Sequence, residues 1–419
     1  MASIETDIYV YADWKGLEKT TYIGKLSVLR SKGNETYSFE YDQDWIDSKP
    51  QFLLDPELNW YMNKQYPSRK SFGIFLDSMP DRWGRVLMQT REAHNARKNE
   101  RNKRTLQEFD YLLGVHDSCR MGALRFKKDK KGPFLDDNSE FPTPPWSSLK
   151  ELQYSAKIVQ EGEDPEIEKH LARLIAPGSS LGGARPKANI LDDDKHPWIA
   201  KFPAKNDDHD KAKWEYLAHV LAIKANIKMS ECNIEKVSKD YFTFLTKRFD
   251  REGGKRIHFA SAMTMTENDE DTVRDTRISY LEIADFIQHS SKATTAQIKA
   301  DLHELWRRIV FHIAISNTDD HLRNHGFIIK DNVWRLSPAY DINPSIDKTG
   351  LALNIDMDDN SLDFNLAKSV GVDFFQLTSS EMDDILKEVK SAVSTWNEEA
   401  TKIGISSSEQ RRMEGAFRF

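Results

Sequence analysis

The sequence predicts an α+β chain, with a small antiparallel β subdomain ahead of a mainly helical C-terminal lobe. Three observations carry this. Residues 7–13, 21–30 and 36–41 alternate or run in β-branched and aromatic residues, the period-2 signature of half-buried strands. Leu302, Leu305, Trp306, Ile309, Val310 and Ile313 recur at helical spacing, and helical patterns dominate from residue 278 onward. Between these regions, Ala188-Asn-Ile-Leu and Trp198-Ile-Ala-Lys-Phe form two short strand-like runs around the turn Asp192-Asp-Asp-Lys-His-Pro197.

Taken in order, the first three strands read as a meander turned at Lys32-Gly-Asn34. From residue 82 to 104 the pattern becomes helical and basic: Arg82, Arg85, Arg91, Arg97, Lys98, Arg101, Lys103 and Arg104 face only Glu92 and Glu100. That segment reads either as a solvated helix and turn or as a contact for an acidic partner or nucleic-acid backbone. Residues 127–145 have the charge, Pro and Gly content of a linker. Residues 147–175 look helical, and 214–227 make an amphipathic helix with Glu215 in its first turn. Tyr241 to Asp250 reads as a strand running into a connector. The expected division is therefore 1–126, a β-rich subdomain with the basic helix; 127–146, a linker; 147–252, a mixed lobe; and 253–419, a helical lobe.

The chemistry is concentrated in Ser316-Asn-Thr-Asp-Asp-His-Leu-Arg-Asn-His-Gly-Phe and in the later Ser-Pro-Ala-Tyr-Asp341-Ile-Asn-Pro. Asp319, Asn324 five residues on, and Asp341 beyond a short hairpin follow the order used by protein-kinase active sites. There the first Asp takes the substrate hydroxyl proton, while the Asn and second Asp hold magnesium on ATP. Hard oxygen donors suit that ion. The helix ending near Ile313 runs into this loop. Gly-Phe-Ile-Ile-Lys and Asn-Val-Trp-Arg-Leu, turned at Lys330-Asp331-Asn332, bring Asp341 back beside Asn324. Asp320 is an alternative base, but only Asp319 keeps the five-residue step, so Asp320→Ala is expected to be mild. His321 is expected to be a structural hydrogen-bonder.

A kinase-like two-lobe fold also needs a phosphate loop and an ATP lysine upstream. Ser179-Ser-Leu-Gly-Gly-Ala-Arg-Pro-Lys-Ala188 is a small-residue loop whose Gly182 and Gly183 let backbone N–H groups approach phosphate oxygens. The candidate phosphate contacts are Ser180, Leu181, Gly182, Gly183 and Ala184, and Lys201 follows the apolar pair Ile199-Ala200 as a phosphate-pairing lysine does. Glu215 is either that lysine's partner or a first-turn Glu favoured by the helix dipole.

Together S-S-L-G-G-A-R-P-K-A, I-A-K-F, K-R-F-D-R at 247–251, T-D-D-H-L-R-N and Y-D-I-N-P resemble the HipA family. Further matches lie at Tyr9-Val-Tyr-Ala-Asp-Trp-Lys-Gly, Phe72 to Arg85 and Met121 to Phe126. The resemblance covers nearly the whole chain. It implies a serine/threonine protein kinase, the toxin of a bacterial toxin–antitoxin pair, using ATP and Mg2+. It also implies that Lys247, Arg248, Phe249 and Asp250 form the hinge meeting adenine, and that Ser180 accepts a phosphate from the protein itself, with Ser179 as the neighbouring alternative. Implied partners are an antitoxin of HipB type, which alone would bring DNA, and a protein substrate such as an aminoacyl-tRNA synthetase. Two other readings keep the same ATP site: a non-catalytic corepressor that holds the antitoxin, and a small-molecule kinase.

Composition agrees. A net charge of −7 argues against general nucleic-acid affinity. Cys119 and Cys232 are the only cysteines in 419 residues, which excludes a disulfide framework or Cys-based zinc site and fits a reducing compartment. The start of the chain lacks a signal-peptide pattern and no apolar run approaches a membrane span, so a cytoplasmic location is expected.

Overall fold

The computed structural model describes residues 4–31, 33–48, 52–135, 143–162, 164, 166–175, 183–239, 241–270, 273, 278–289 and 291–419. The chain forms two compact units, Met1–Asn206 with Lys247–Ala260, and Asp207–Thr246 with Ser261–Phe419. This cut passes through the expected 147–252 lobe. The glycine-loop hairpin shares a unit with the N-terminal subdomain, and residues 207–246 join the helical part.

In the first unit, β1 (Ile4–Ala12), β2 (Thr21–Ser31), β3 (Asn34–Tyr41) and β4 (Leu124–Lys127) form an antiparallel sheet in the order β3-β2-β1-β4. Alternation puts Ile8, Val10, Leu26, Val28, Phe39 and Phe126 in the core, each fully buried. The basic helix α1 (Arg82–Lys98) starts at Asp81, whose carboxylate accepts the Gly84 N–H at 2.8 Å. Several cations of residues 82–104 have carboxylate partners. Arg85 pairs with Glu108, Lys98 with Glu168, and Arg101 and Arg104 with Glu92. Residues 128–135 are no linker. The Leu135 N–H donates to the Phe126 carbonyl at 2.8 Å, and the Phe134 ring packs on Tyr11 beneath Arg125. Helices α2 (Leu149–Glu161) and α3 (Ile167–Ile175) lead to the antiparallel hairpin β5 (Lys187–Leu191) and β6 (Pro197–Lys201).

The second unit opens with α4 (Lys211–Lys224) and the antiparallel pair β7 (Cys232–Glu235) and β8 (Thr243–Lys247), whose last residue belongs to the first unit. Then come α5 (Tyr280–His289) and the central α6 (Thr295–Ile315). A capping box starts α6: Thr294 accepts from the Gln297 N–H, and the Gln297 side chain accepts from the Thr294 N–H. Leu302, Leu305, Trp306, Ile309, Val310 and Ile313 are all fully buried, as their spacing predicts. The hairpin β9 (Gly326–Lys330) and β10 (Val333–Leu336) turns at Asp331 and Asn332, whose φ values of 54° and 62° are those of a type I′ turn. Helices α7 (Phe364–Phe375), α8 (Ser379–Ser394), α9 (Trp396–Ile403) and α10 (Ser407–Met413) follow. Among the described residues, no helix is long and apolar enough to cross a membrane.

Candidate active site

The predicted site residues fall into two groups, one in each unit. In the first unit the β5–β6 register sets Lys187 directly opposite Lys201, so both lysines lie on one face of the hairpin. Lys187 is buried in an ion pair with Asp81 at 2.9 Å, each side chain only 2% exposed. The exposed Gly183 has φ +93°, a left-handed conformation that disfavours any side chain. Its carbonyl accepts from the Trp83 N–H at 3.3 Å and from Lys187 Nζ at 3.4 Å. The helix start that Asp81 caps therefore also fixes the exit of the glycine loop. Ala184 is exposed beside it, and Lys201 ends β6 largely buried. Ser179, Ser180, Leu181 and Gly182 lie outside the described residues.

The expected hinge has a different internal role for two of its four residues. Arg248 is fully buried; its guanidinium donates to Asp250, to Asn189 Oδ1 at 2.7 Å, and to the Cys119 and Arg120 carbonyls. Burial pushes the Asp250 carboxyl up, but Arg248 and Arg251 more than offset this and hold it at about 2. These side chains lock the connector against its own unit. The Arg248 N–H is also engaged, with the Pro197 carbonyl at 3.0 Å. Lys247 and Phe249 are half-buried.

In the second unit, α6 ends at Ser316 in the left-handed region (φ 50°), and the loop to Asn324 follows. Asp319 is exposed while Asp320 is 1% exposed. Asp320 Oδ2 accepts from the Tyr280 hydroxyl at 2.5 Å, His325 Nε2 at 2.8 Å and His312 Nε2 at 3.2 Å. Asn317 donates to His312 Nδ1 at 3.0 Å, which fixes His312 as the neutral Nε2–H tautomer. Burial drives His312 down to about 4, against the pull of the Asp320 carboxylate. Burial raises the Asp320 carboxyl, but its donors outweigh this and keep it ionised below the usual carboxylate range. His312, Asp320 and His325 lie close enough to suggest a metal centre, but their facing nitrogens are committed as hydrogen-bond donors. Asp320 is thus the buried anchor of the loop, and its burial argues against a mild Asp320→Ala. His321 also differs from expectation: its Nδ1 has no hydrogen-bond partner among the described residues. His312 and His325 hold the loop instead.

Asn324 donates Nδ2 to the Asp319 carbonyl at 3.1 Å, and its Oδ1 is buried with no hydrogen-bond partner among the described residues. An unpaired buried acceptor costs about 1–3 kcal/mol, and a carbonyl oxygen of this kind is a donor that magnesium accepts. Asp341 stands in the left-handed region (φ 58°), an unusual backbone state for a non-glycine residue. It is bracketed by two ties to the loop. The Tyr340 hydroxyl donates to the Arg323 carbonyl at 2.8 Å, and the Asn343 N–H donates to Asn317 Oδ1 at 3.4 Å. The hairpin thus returns Asp341 beside the loop, and Asn324 and Asp341 are oxygen donors of the kind that magnesium takes. Glu215 is buried and lies in the second turn of α4, not the first turn expected from the sequence.

The residues that sequence reasoning passed over are Asp81, Lys187, Tyr280, His312, Asn317 and His325. Histidines flanking the Asp-rich loop were the available signal; the Asp81–Lys187 pair spans over a hundred residues and leaves none. The exit of the glycine loop, the strand ending in Lys201, α4, the loop from Asp319 to Asn324 and the hairpin before Asp341 follow in kinase order, and the fold is kinase-like.

Comparison with known proteins agrees. Residues 18–127 match the HipA N-terminal domain and residues 179–396 the HipA-like C-terminal domain. A HipA from Shewanella oneidensis MR-1, solved in a toxin–antitoxin complex with HipB and operator DNA, superposes with a TM-score of 0.65. That match covers 98% of this chain and 94% of the other, at 15% identity. A Haemophilus influenzae protein named "Putative kinase" is 25% identical over 183 residues, which are 39% of this chain and 52% of that protein. The alignment spans about half the length of this curated relative. Matched by both domains of one family over most of its length, the chain belongs to the HipA family.

Proposed function

We propose that this protein is an ATP-dependent serine/threonine protein kinase that also modifies its own Ser180, with Ser179 as the adjacent alternative. One observation carries the reading. Asp319 is held exposed on a loop anchored through buried Asp320, and Asn324, tied to the Asp319 carbonyl, keeps a buried oxygen without a donor. Lys201 would hold the α- and β-phosphates of ATP, with Gly183 and Ala184 at the exit of the phosphate loop. Asn324 and Asp341 would hold magnesium, which when bound neutralises charge on the phosphates. Asp319 would orient the acceptor hydroxyl and take its proton. Adenine recognition would fall to backbone groups near Lys247 and Phe249. The Shewanella complex supports a separate HipB-type partner, through which this acidic chain would reach DNA.

The test is purified protein with γ-labelled ATP and magnesium, alone and with cell extract, followed by mapping of labelled residues. Label is expected on serine or threonine, including Ser180, and Ser180→Ala should remove most self-labelling. No transfer to any hydroxyl in either mixture overturns the reading.

A further inference from the structure

The catalytic loop is held on one side by Asp320 and its donors. On the other side it is held by a segment far along the chain. The Arg418 N–H donates to the Ala314 carbonyl at 2.7 Å, satisfying one of the carbonyls that the end of α6 would otherwise leave open. The Ser316 hydroxyl donates to the Ala416 carbonyl at 2.7 Å and accepts from the Arg418 guanidinium. The same guanidinium donates to the Gly415 carbonyl at 3.3 Å. The remaining Ser316 acceptor, its carbonyl, takes the Ser345 N–H at 3.2 Å, four residues beyond Asp341. Ser316 is therefore a junction between the end of α6, the segment carrying Asp341 and residues 415–418. It is 2% exposed and sits in the left-handed region, a state that needs surrounding contacts to persist.

The segment has its own mooring. The Phe417 ring stacks on Trp396 at the start of α9, with centroids 4.3 Å apart and planes 4° from parallel, and Trp214 of α4 lies 6.3 Å away. Phe417 is 8% exposed. Two rigid helices thus set the position of Arg418, and Arg418 sets Ser316, three residues before Asp319.

We propose that Gly415–Arg418 is a positioning brace for the catalytic loop, with Arg418 acting through Ser316 on the placement of Asp319. This rests on the kinase reading for its consequence in catalysis but not for its structural part. A catalytic group displaced by an ångström loses up to roughly 10²-fold in rate. The same loop carries Asn324, and Ser316 is tied to the segment of Asp341, so the loss should appear in kcat and, through the magnesium holders, in the KM for ATP.

The experiment compares the full chain with Arg418→Ala, Arg418→Lys, Ser316→Ala and the exposed control Phe419→Ala, by amide hydrogen exchange and by phosphoryl-transfer kinetics. Arg418→Ala is expected to speed exchange over residues 316–325 roughly tenfold and to lower kcat by about the same factor. Arg418→Lys should recover part of both effects, and Phe419→Ala should change neither. If Arg418→Ala yields little folded protein, Ser316→Ala is read by the same two measurements and must loosen the loop. An active parent protein whose Arg418→Ala and Ser316→Ala variants keep parental exchange and kcat overturns the brace. An inactive parent whose variants still loosen the loop overturns the kinase reading and leaves the brace standing.

Discussion

Asp320→Ala should destabilise the second unit far more than Asp319→Ala does. The two neighbours differ only in environment: Asp319 is exposed, while Asp320 is buried under three donors at 2.5, 2.8 and 3.2 Å. Removing the Asp320 carboxylate strands the Tyr280 hydroxyl and the Nε2–H groups of His312 and His325. Each unpaired buried donor costs about 1–3 kcal/mol. Relief from burying a charge offsets part of that total, and breaking comparable buried ionic contacts costs roughly 3–5 kcal/mol. We therefore expect a loss of roughly 3–5 kcal/mol, a large part of the 5–15 kcal/mol typical of a domain. Asp320→Asn keeps an acceptor oxygen and should lose about half as much. Asp319→Ala should stay within about 0.5 kcal/mol of the parent, as exposed substitutions do. Urea unfolding followed by tryptophan fluorescence measures all three. An Asp320→Ala protein within about 1 kcal/mol of the parent would refute the anchoring role, because at least one stranded donor must cost that much.

Two further outcomes follow from buried groups in the two units. His258, stacked on Trp14 at 5.1 Å, is driven by burial down to about 3, and His312 to about 4, both from the usual 6.5. Because the unfolded chain binds these protons more readily, stability is full above pH 6.5. It should fall by roughly 2–3 kcal/mol per histidine by pH 4.5, and a flat urea-stability profile from pH 7 to 4.5 would contradict this. Lys187→Met should cost roughly 3–5 kcal/mol by leaving the Asp81 carboxylate buried without its cation, and adding Asp81→Asn should recover much of it. Additive losses in that double-mutant cycle would show that the pair does not interact.

Much of the catalytic half was legible in the sequence because it is local. The buried face of α6, the Asp331-Asn332 turn and the five-residue step from Asp319 to Asn324 are all set by spacing within a few dozen residues. What the sequence hid is long-range. Nothing near Asp320 signals that Tyr280, forty residues earlier, closes over it, so its burial cannot be read from its neighbours. Nothing near Arg248 signals its buried side-chain contacts, because its partners, Asn189 and the carbonyls of residues 119 and 120, are distant in sequence. Residues 128–135 carry a linker's composition, yet the Phe134 ring and the Leu135 N–H tie them back to the sheet. The contact of Ser316 with Ala416 spans a hundred residues and no periodicity reports it.

The most direct test of the central claim is Mg-ATP affinity by calorimetry, with and without magnesium, beside phosphoryl-transfer rate, for Asp319→Ala and Asp341→Ala. The account predicts that Asp319→Ala still binds Mg-ATP but transfers roughly 10²-fold more slowly or worse. Asp341→Ala should lose both transfer and the magnesium-dependent part of ATP affinity. An Asp319→Ala protein that transfers phosphate at the parental rate would contradict the assignment of this loop as a kinase catalytic loop.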